Sequence, residues 1–515
     1  MTEHKHIGKI VGALMAAAVA FCLIVTLFAD RLVAVSGSSA ATMEYESTLF
    51  DTSEIMTVNI IMDEDQWQEL LDNAISEEYY ACDVEINGKT ISNVGIRAKG
   101  NTSLSSIAND PDTDRYSFKI KFDKYVDGQT CMGLDKLVLN NNFADATNRK
   151  EALVYDMFQY LGADASLYNY AKISVNGEYW GTYLALEAVE DSFKLRNYGV
   201  SDGKLYKPET MGMGNDQKEE GSNLMDRPER PQGDFDQADM DEKFRNPQGG
   251  HDDFGGFGNR NGGADLNYVD DDADSYSTIW DGADVKVTDS DKERVITAIK
   301  NINEGTDLTT YLDVDNILKY MAVHEFVVNL DSLSGNMAHN YYLYENDGQL
   351  NIIPWDYNLS FGGMTNGGMG GGPGRNFTES SGATSMINDP IDTPFDGTDF
   401  FDALLENEEY LAQYHEYLRQ LAEEYVQGGR LQEVWERLDA QTDELIETDP
   451  TAFYTAAEYE EAKDTLWTVL QLRAESVLGQ LDGTIPSTDD GQQNAQDTLI
   501  DGSAIDLSVM GEFNH

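Results

Sequence analysis

The feature that most constrains the fold is a hairpin predicted in the second half of the chain. Residues 341–344 form a short aromatic and apolar run with strand character, and residues 349–353 resemble its returning strand. The turn between them contains Asp347-Gly348, and this dipeptide supplies the positive φ angles that a tight hairpin turn needs. Pairing of the two strands would therefore bring Asn340 and Asp356 to the same edge of a sheet.

A further acidic residue, Asp331, lies in the loop before this hairpin. Asp and Asn oxygens are ligands that Mg²⁺ takes, and a neighbouring carboxylate can accept the proton of an attacking hydroxyl. The order of loop carboxylate, asparagine, hairpin and second aspartate is that of a kinase catalytic loop and its metal-binding Asp, although His-Arg-Asp and Asp-Phe-Gly are both missing. Since Asp and Asn are also ordinary turn residues, a purely structural interpretation stays open.

Two stretches, NLDSLSGNMAHNYYLY and IIPWDYNLSFGG, resemble the carboxy-terminal signature of the CotH kinase family, the spore coat protein H type of atypical protein kinase. The resemblance implies that Asp331 is the catalytic carboxylate and that Asp356 is a metal ligand. Two asparagines compete for the second ligand position. Asn336 keeps the spacing of ordinary kinases, whereas Asn340 directly precedes a strand, and we favour Asn340 because attachment to a strand fixes geometry better.

A polar loop at residues 96–103, IRAKGNTS, follows a predicted strand and contains one glycine. In the family that the chain resembles, a similar loop stands where kinases carry a glycine-rich cover over the phosphates. The resemblance therefore implies a set of phosphate contacts: Arg97, Lys99, Gly100, Asn101 and Ser103. A single glycine is equally compatible with an ordinary loop.

The strand predicted at residues 116–122 alternates between apolar and basic side chains. Phe118 and Ile120 face one way, and Lys119 and Lys121 face the other. A lysine at this place would stabilise the α- and β-phosphates of a nucleotide. The pattern does not choose between the two lysines, and a solvated face is the alternative for at least one of them.

Two glutamates complete the site that the resemblance implies. Glu151 lies near the start of a helix predicted at residues 145–161, where kinases carry a glutamate that pairs with the phosphate-binding lysine. Its structural interpretation is an acid that favours the start of a helix. Glu187 ends the hairpin predicted at residues 170–175 and 180–187, which in the family lies near the hinge.

The order of elements predicts an α+β protein preceded by an N-terminal transmembrane helix, and the family resemblance implies an atypical protein-kinase-like, two-lobed fold. The β-rich small lobe would occupy residues 51–207, and the helical large lobe, with the catalytic loop, residues 266–483. Residues 208–265 are acidic and rich in glycine with few large aliphatic side chains, so they are predicted to be a disordered insert. Residues 484–515 are predicted to form a flexible tail.

An uncharged apolar run at residues 10–29 has the length of about 20 residues that a membrane-spanning helix needs. Lys5 and Lys9 precede it, and positive flanks stay in the cytoplasm. We therefore expect a short cytoplasmic segment at residues 1–9, a linker at residues 30–50 and a single-pass protein of the cell membrane with its main domain extracytoplasmic. The alternatives are secretion after cleavage of a signal peptide, and a place in the spore coat.

Charge and cysteine content limit the partners and the covalent chemistry. The formal net charge of -58 excludes nucleic acid as a partner on electrostatic grounds. An exported chain could join Cys82 to Cys131, or both thiols could stay unpaired in the core.

The function that the resemblance implies is an exported kinase that uses ATP with Mg²⁺ or Mn²⁺. It would transfer the γ-phosphate to Ser or Thr of a protein substrate in the cell envelope or spore coat. Two other functions fit the same sequence. One is a non-catalytic envelope or spore-coat scaffold, and the other is transfer of a phosphoryl or nucleotidyl group to a non-protein acceptor.

Overall fold

The computed structural model describes residues 42–210, 262–334, 338–363, 382–393, 395 and 397–511. The apolar run at residues 10–29 lies outside these residues, as do Asn336 and most of the predicted insert. The β-strands and the longer helices that carry the predicted site are within the described parts.

Seven strands close into a barrel in the order β1-β2-β3-β4-β5-β7-β6. Six of the strand pairs are antiparallel, and the parallel pairing of β1 with β6, from Met56 opposite Ala171 onwards, closes the ring. The barrel strands are β1 Met56–Ile61, β2 Tyr80–Ile86, β3 Lys89–Lys99, β4 Ser117–Lys121, β5 Lys136–Asn140, β6 Tyr168–Val175 and β7 Glu178–Glu187.

A second, three-stranded antiparallel sheet has the order β10-β9-β8. Its strands are β8 Lys204–Tyr206, β9 Tyr341–Asn346 and β10 Gln349–Pro354. The α-helices are α1 Glu44–Thr48, α2 Glu64–Asp72, α3 Thr102–Ala108, α4 Lys150–Leu161, α5 Asp191–Tyr198, α6 Ser277–Asp281, α7 Asp289–Asn303, α8 Leu308–Tyr311, α9 Val314–Val327, α10 Gly382–Ile387, α11 Asp402–Leu405, α12 Glu408–Arg419, α13 Arg430–Glu447, α14 Ala456–Leu481 and α15 Asp489–Asn494. A π-helical stretch, Gln420–Val426, continues α12.

The two faces of the barrel wall belong to different hydrophobic cores. Phe118 and Ile120 lie in the core that fills the barrel, as their alternation predicts. Val138 of β5 lies on the opposite face, where it shares the larger core with Phe158 of α4 and Phe326 of α9. The outer wall of the barrel is therefore the surface on which the helices that position the site are packed.

The predicted fold class is wrong. We expected a two-lobed kinase-like fold with a transmembrane helix before it, whereas the seven strands form a closed barrel. In the parts of the chain that the structure describes, no helix combines the length and the apolar character that crossing a membrane requires. Local alternation predicts strands and hairpins, but β1 and β6 are far apart in the sequence, and nothing in either strand specifies that they pair.

Most of the predicted elements are confirmed within a few residues. The predicted turn between β9 and β10 has the required backbone, with φ of 51° at Asp347 and 88° at Gly348. Cys82 and Cys131 are both buried free thiols, and burial raises their pKa to about 12 and about 11.

The segment that the sequence suggests as a flexible tail carries short helices as far as residue 511. The buried side chains of Leu507 and Met510 belong to the larger core.

Candidate active site

The hairpin β9–β10 places Asn340 and Asp356 as the sequence predicts. Tyr341 lies opposite Pro354, so that the residue before β9 and the loop after β10 meet at one edge of the sheet. Asn340 Nδ2 donates to the backbone oxygen of Asp331 at 2.8 Å and to its Oδ2 at 3.1 Å. The structure thus brings the loop that follows α9 to the same edge.

Asp331 also contacts a histidine that the sequence analysis missed. His339 Nε2 lies 2.7 Å from Asp331 Oδ1. Burial raises the pKa of the Asp331 carboxyl, the contact with His339 opposes the increase, and the charge of Asp356 adds to it. Although burial lowers the pKa of His339, the bond to Asp331 raises it overall. The only sequence signal for His339 is its place directly before Asn340.

A second group of polar side chains connects the barrel to this edge. Lys99 Nζ, at the end of β3, donates to Asn140 Oδ1 at 2.9 Å, and Asn140 Nδ2 donates to Glu151 Oε2 at 2.8 Å. The ammonium group of Lys99 also lies 5.8 Å from the ring centroid of Trp355, the neighbour of Asp356. An amide therefore joins Glu151 to Lys99, one of the predicted phosphate-loop residues, whereas the lysine that the resemblance pairs with Glu151 is Lys119 or Lys121.

Glu151 is the residue through which the two groups interact. Burial raises the pKa of Glu151 to about 7, the nearby charge of Asp356 adds to the increase, and Asn140 and Lys99 oppose it. Its Oε1 is buried and accepts no hydrogen bond of ordinary geometry among the described residues, although the nearby backbone of Tyr357 also opposes the increase in pKa. Asp356 therefore lies near enough to both Asp331 and Glu151 to influence their ionisation, and negative charge accumulates at this place.

We expect Glu151→Gln to stabilise the ligand-free protein above neutral pH. The folded-state pKa is raised from 4.5 to about 7, so the wild-type protein loses stability as the pH rises between these values. The loss is on the order of 3 kcal/mol. Glutamine does not ionise, so the pH dependence of the free energy of unfolding, measured with urea at pH 5 and pH 8, should become weaker.

Asp164→Asn is the matched control for this experiment. Burial raises the pKa of Asp164 to about 6, and its carboxylate accepts from Asn351 Nδ2 at 2.9 Å rather than facing Asp356. Both variants should flatten the pH dependence of the free energy of unfolding. When ATP and Mg²⁺ are added to the wild type, the contribution of Glu151 to this dependence should disappear and the contribution of Asp164 should remain. An unchanged pH dependence in Glu151→Gln would contradict the charge accumulation described above.

Lys119 and Lys121 lie on the outer face of β4, next to the other basic residues of the barrel wall. Lys119 lies opposite Arg97 of β3 and Val138 of β5, and Lys121 lies opposite Gly95 and Lys136. The lysine in the hydrogen-bonded chain to Glu151 is Lys99. A role for Lys119 or Lys121 in holding phosphate stays a prediction.

Other residues of the predicted phosphate loop lie around the start of α3. Arg97 is buried and pairs with Glu77, with 2.7 Å between Nη1 and Oε1. Gly100 has a φ of 137°, Asn101 immediately precedes α3, and Ser103 lies in its first turn. Their contacts with phosphate also stay predictions.

Glu187 lies in a buried network apart from these groups. Its carboxylate accepts hydrogen bonds from Tyr45, Arg196 and the backbone of Leu167, at 2.5, 2.6 and 3.1 Å. The network joins β7 to α1 and α5, and a nucleotide contact by Glu187 stays a prediction. Asn336, the alternative metal ligand, lies outside the described residues.

Within the described ranges, no group of three or more His, Cys, Asp or Glu side chains is arranged to hold a metal ion. A Mg²⁺ ion in a nucleotide site needs fewer protein ligands than three, since one or two carboxylates suffice when phosphate oxygens and water supply the other ligands. The carboxylates of Glu151 and Asp356 lie close enough to influence each other, and a cation would offset their negative charge. The residues at this edge therefore fit a nucleotide-bound Mg²⁺.

Comparison with models of protein families identifies a family for this chain. A family model described as CotH kinase protein matches residues 96–477, a range that includes Lys99, Glu151, Asp331 and Asp356. This match confirms the resemblance seen in the sequence. No curated protein matches the chain.

Proposed function

Because the chain belongs to the CotH kinase family, we propose that it transfers the γ-phosphate of ATP to a Ser or Thr hydroxyl of a protein. The observation that supports this proposal best is the meeting of Asp331, Asn340 and Asp356 at one edge of the hairpin, beside the chain from Lys99 to Glu151. Carboxylates that influence each other's ionisation next to a lysine are suited to bind a polyphosphate together with a cation.

Asp331 is the proposed proton acceptor. Asn340 and His339 hold its two carboxylate oxygens from different sides, so its orientation is set before a substrate arrives. Burial raises its pKa, which makes the ionised carboxylate a stronger base toward a hydroxyl. In this role Asp331 orients the acceptor hydroxyl and receives its proton as the bond to phosphorus forms.

Asp356 and the Oδ1 of Asn340 would hold Mg²⁺ or Mn²⁺, and Glu151 lies close enough to add charge to the site. When bound, such an ion neutralises the developing charge on the β- and γ-phosphates. Lys99 would contact the phosphates, with Asn140 holding its ammonium group in place. The acceptor protein would be a component of the cell envelope or spore coat, in keeping with the family, and the reaction would take place outside the cytoplasm.

The test is phosphate transfer by the purified full-length chain. Labelled ATP with Mg²⁺ or Mn²⁺ is added together with a cell-envelope extract, and wild type is compared with Asp356→Asn. We expect labelled protein with the wild type only, and stabilisation of the wild type against heat by ATP plus metal. Label in a non-protein fraction would favour a different acceptor. The absence of both transfer and stabilisation would instead favour the scaffold function.

A further inference from the structure

A buried histidine contacts both loops of the candidate site. His324 lies in the last turn of α9 and is 1% exposed. Its Nε2 is 2.7 Å from Ser334 Oγ, and its Nδ1 is 3.1 Å from the hydroxyl of Tyr357. Ser334 lies three residues after Asp331, and Tyr357 directly follows Asp356. One imidazole ring therefore touches both of the loops that carry the two aspartates.

The directions of these hydrogen bonds are inferred from a bond that Ser334 makes within its own loop. Ser334 Oγ donates to the backbone oxygen of Asn329 at 2.9 Å, so its single hydrogen is already used. We therefore assign the hydrogen of the neutral ring to Nε2, which donates to Ser334, and Nδ1 then accepts from Tyr357. Ser332 Oγ lies farther away, 3.3 Å from Nε2 and 3.5 Å from Nδ1. A neutral histidine has one donor and one acceptor on opposite sides of a rigid ring, which is the combination that this bridge needs.

The ring has little freedom to move. It stacks on Tyr320 and Phe395, with centroids 5.5 and 5.1 Å away. On the other side of the bridge, the ring of Tyr357 packs against Phe158 of α4 at 5.4 Å, the helix that also carries Glu151. The bridge is thus supported by two helices of the main core.

The two loops need such a connection because each carries a carboxylate to the same edge of the hairpin, and like charges repel each other. Apolar packing alone does not fix an orientation, whereas two hydrogen bonds to one ring restrain both loops.

We propose that His324 is a positioning residue that sets the relative placement of Asp331 and Asp356 by hydrogen bonds to Ser334 and Tyr357. The effect of this placement on turnover rests on the function proposed above, whereas its effect on the structure of the two loops does not. Catalysis by phosphoryl transfer depends mainly on the placement of charged groups, so a loosened bridge should reduce turnover more than nucleotide binding.

Four variants of the full-length chain separate the bridge from ordinary packing. His324→Phe keeps an aromatic ring between Tyr320 and Phe395 but loses both hydrogen bonds, and His324→Gln keeps an amide that can reach Ser334. Tyr357→Phe and Ser334→Ala each remove one hydroxyl with little change in shape. His415→Phe is the control, since this histidine contacts Asp392 at 2.6 Å and neither of the two loops.

The kinetic result expected for His324→Phe is a kcat about 10- to 100-fold lower, with the KM for ATP changed less than about threefold. Tyr357→Phe should lower kcat by a smaller factor, and should have no further effect in the His324→Phe background. His324→Gln should recover part of the loss. A wild-type kcat in His324→Phe, or a loss confined to KM, would overturn the positioning role.

Hydrogen exchange measured by mass spectrometry tests the bridge without relying on activity. In His324→Phe, amides of residues 329–334 and of residues 356–361 should exchange faster together, whereas Tyr357→Phe should affect mainly the second segment. Wild-type exchange in both segments of His324→Phe would overturn the proposal. If the wild-type chain transfers no phosphate but the exchange result is as expected, the proposed function fails and the bridge stands.

Discussion

Replacing Asp331 with asparagine is expected to lower phosphate transfer by a factor on the order of 10²–10⁴ while nucleotide and metal binding are retained. The amide has nearly the same shape and can still accept from Asn340, but it cannot take a proton from the acceptor hydroxyl. Since burial disfavours the ionised carboxyl at this position, the substitution should not destabilise the fold.

The matched variant is Asp356→Asn, which changes the same functional group on the other loop. Asp356 is a proposed metal ligand, so this variant should lose the stabilisation by ATP that depends on Mg²⁺ as well as the transfer activity. Thermal unfolding with ATP, in the presence and absence of Mg²⁺, and a transfer assay on the same samples give the comparison. Equal effects of both substitutions on ATP binding, or full activity of Asp331→Asn, would contradict the assignment of separate roles.

Replacing Arg473 with methionine is expected to reduce the free energy of unfolding by about 3–5 kcal/mol. Arg473 is fully buried in α14, and its Nη2 lies 3.0 Å from Glu325 Oε1. It also donates to the backbone oxygens of Glu325 and Phe326 at the end of α9, to that of Ile387, the last residue of α10, and to that of Asp389. Methionine would remove the ion pair with the buried carboxylate of Glu325 and all of these donated hydrogen bonds.

Urea unfolding at neutral pH measures this effect, and two variants control it. Arg419→Met removes an arginine whose pairs with Glu423 and Asp482 are partly exposed, so it should cost less than about 1 kcal/mol. Adding Glu325→Met to Arg473→Met should recover part of the loss, because the buried negative charge of Glu325 is then gone. A loss below 1 kcal/mol in Arg473→Met alone would show that the end of α9 is held by other contacts.

The location of the aspartates could be predicted because it depends on one hairpin. Alternating residues and an Asp-Gly turn define β9 and β10, and the register of two adjacent strands then brings Asn340 and Asp356 together. The contact of Asp331 with Asn340 could also be predicted, because only a short loop separates the two residues. The role of each residue in catalysis still stays a prediction.

The lysine could not be chosen in the same way. Alternation identifies Lys119 and Lys121 as neighbours on one face, but it gives no information on which basic residue of the barrel wall reaches Glu151. That depends on the pairing of β4 with both β3 and β5, and on Asn140, an amide in a strand with nothing in its local sequence to mark it. His324 is a similar case, since a helical histidine in an apolar stretch is indistinguishable from a simple core residue.

The sequence by itself determined the family, the strands and helices, their turns and the order of the acidic residues. These depend on backbone preferences and side-chain periodicity over a few residues, which are properties of short segments. Only the tertiary structure decided that the strands close into a barrel through β1 and β6, that Asn140 joins Lys99 to Glu151, and that His324 bridges two loops. Each of these contacts joins residues whose own neighbourhoods are compatible with many partners, and the choice among them is made by the packing of the whole core.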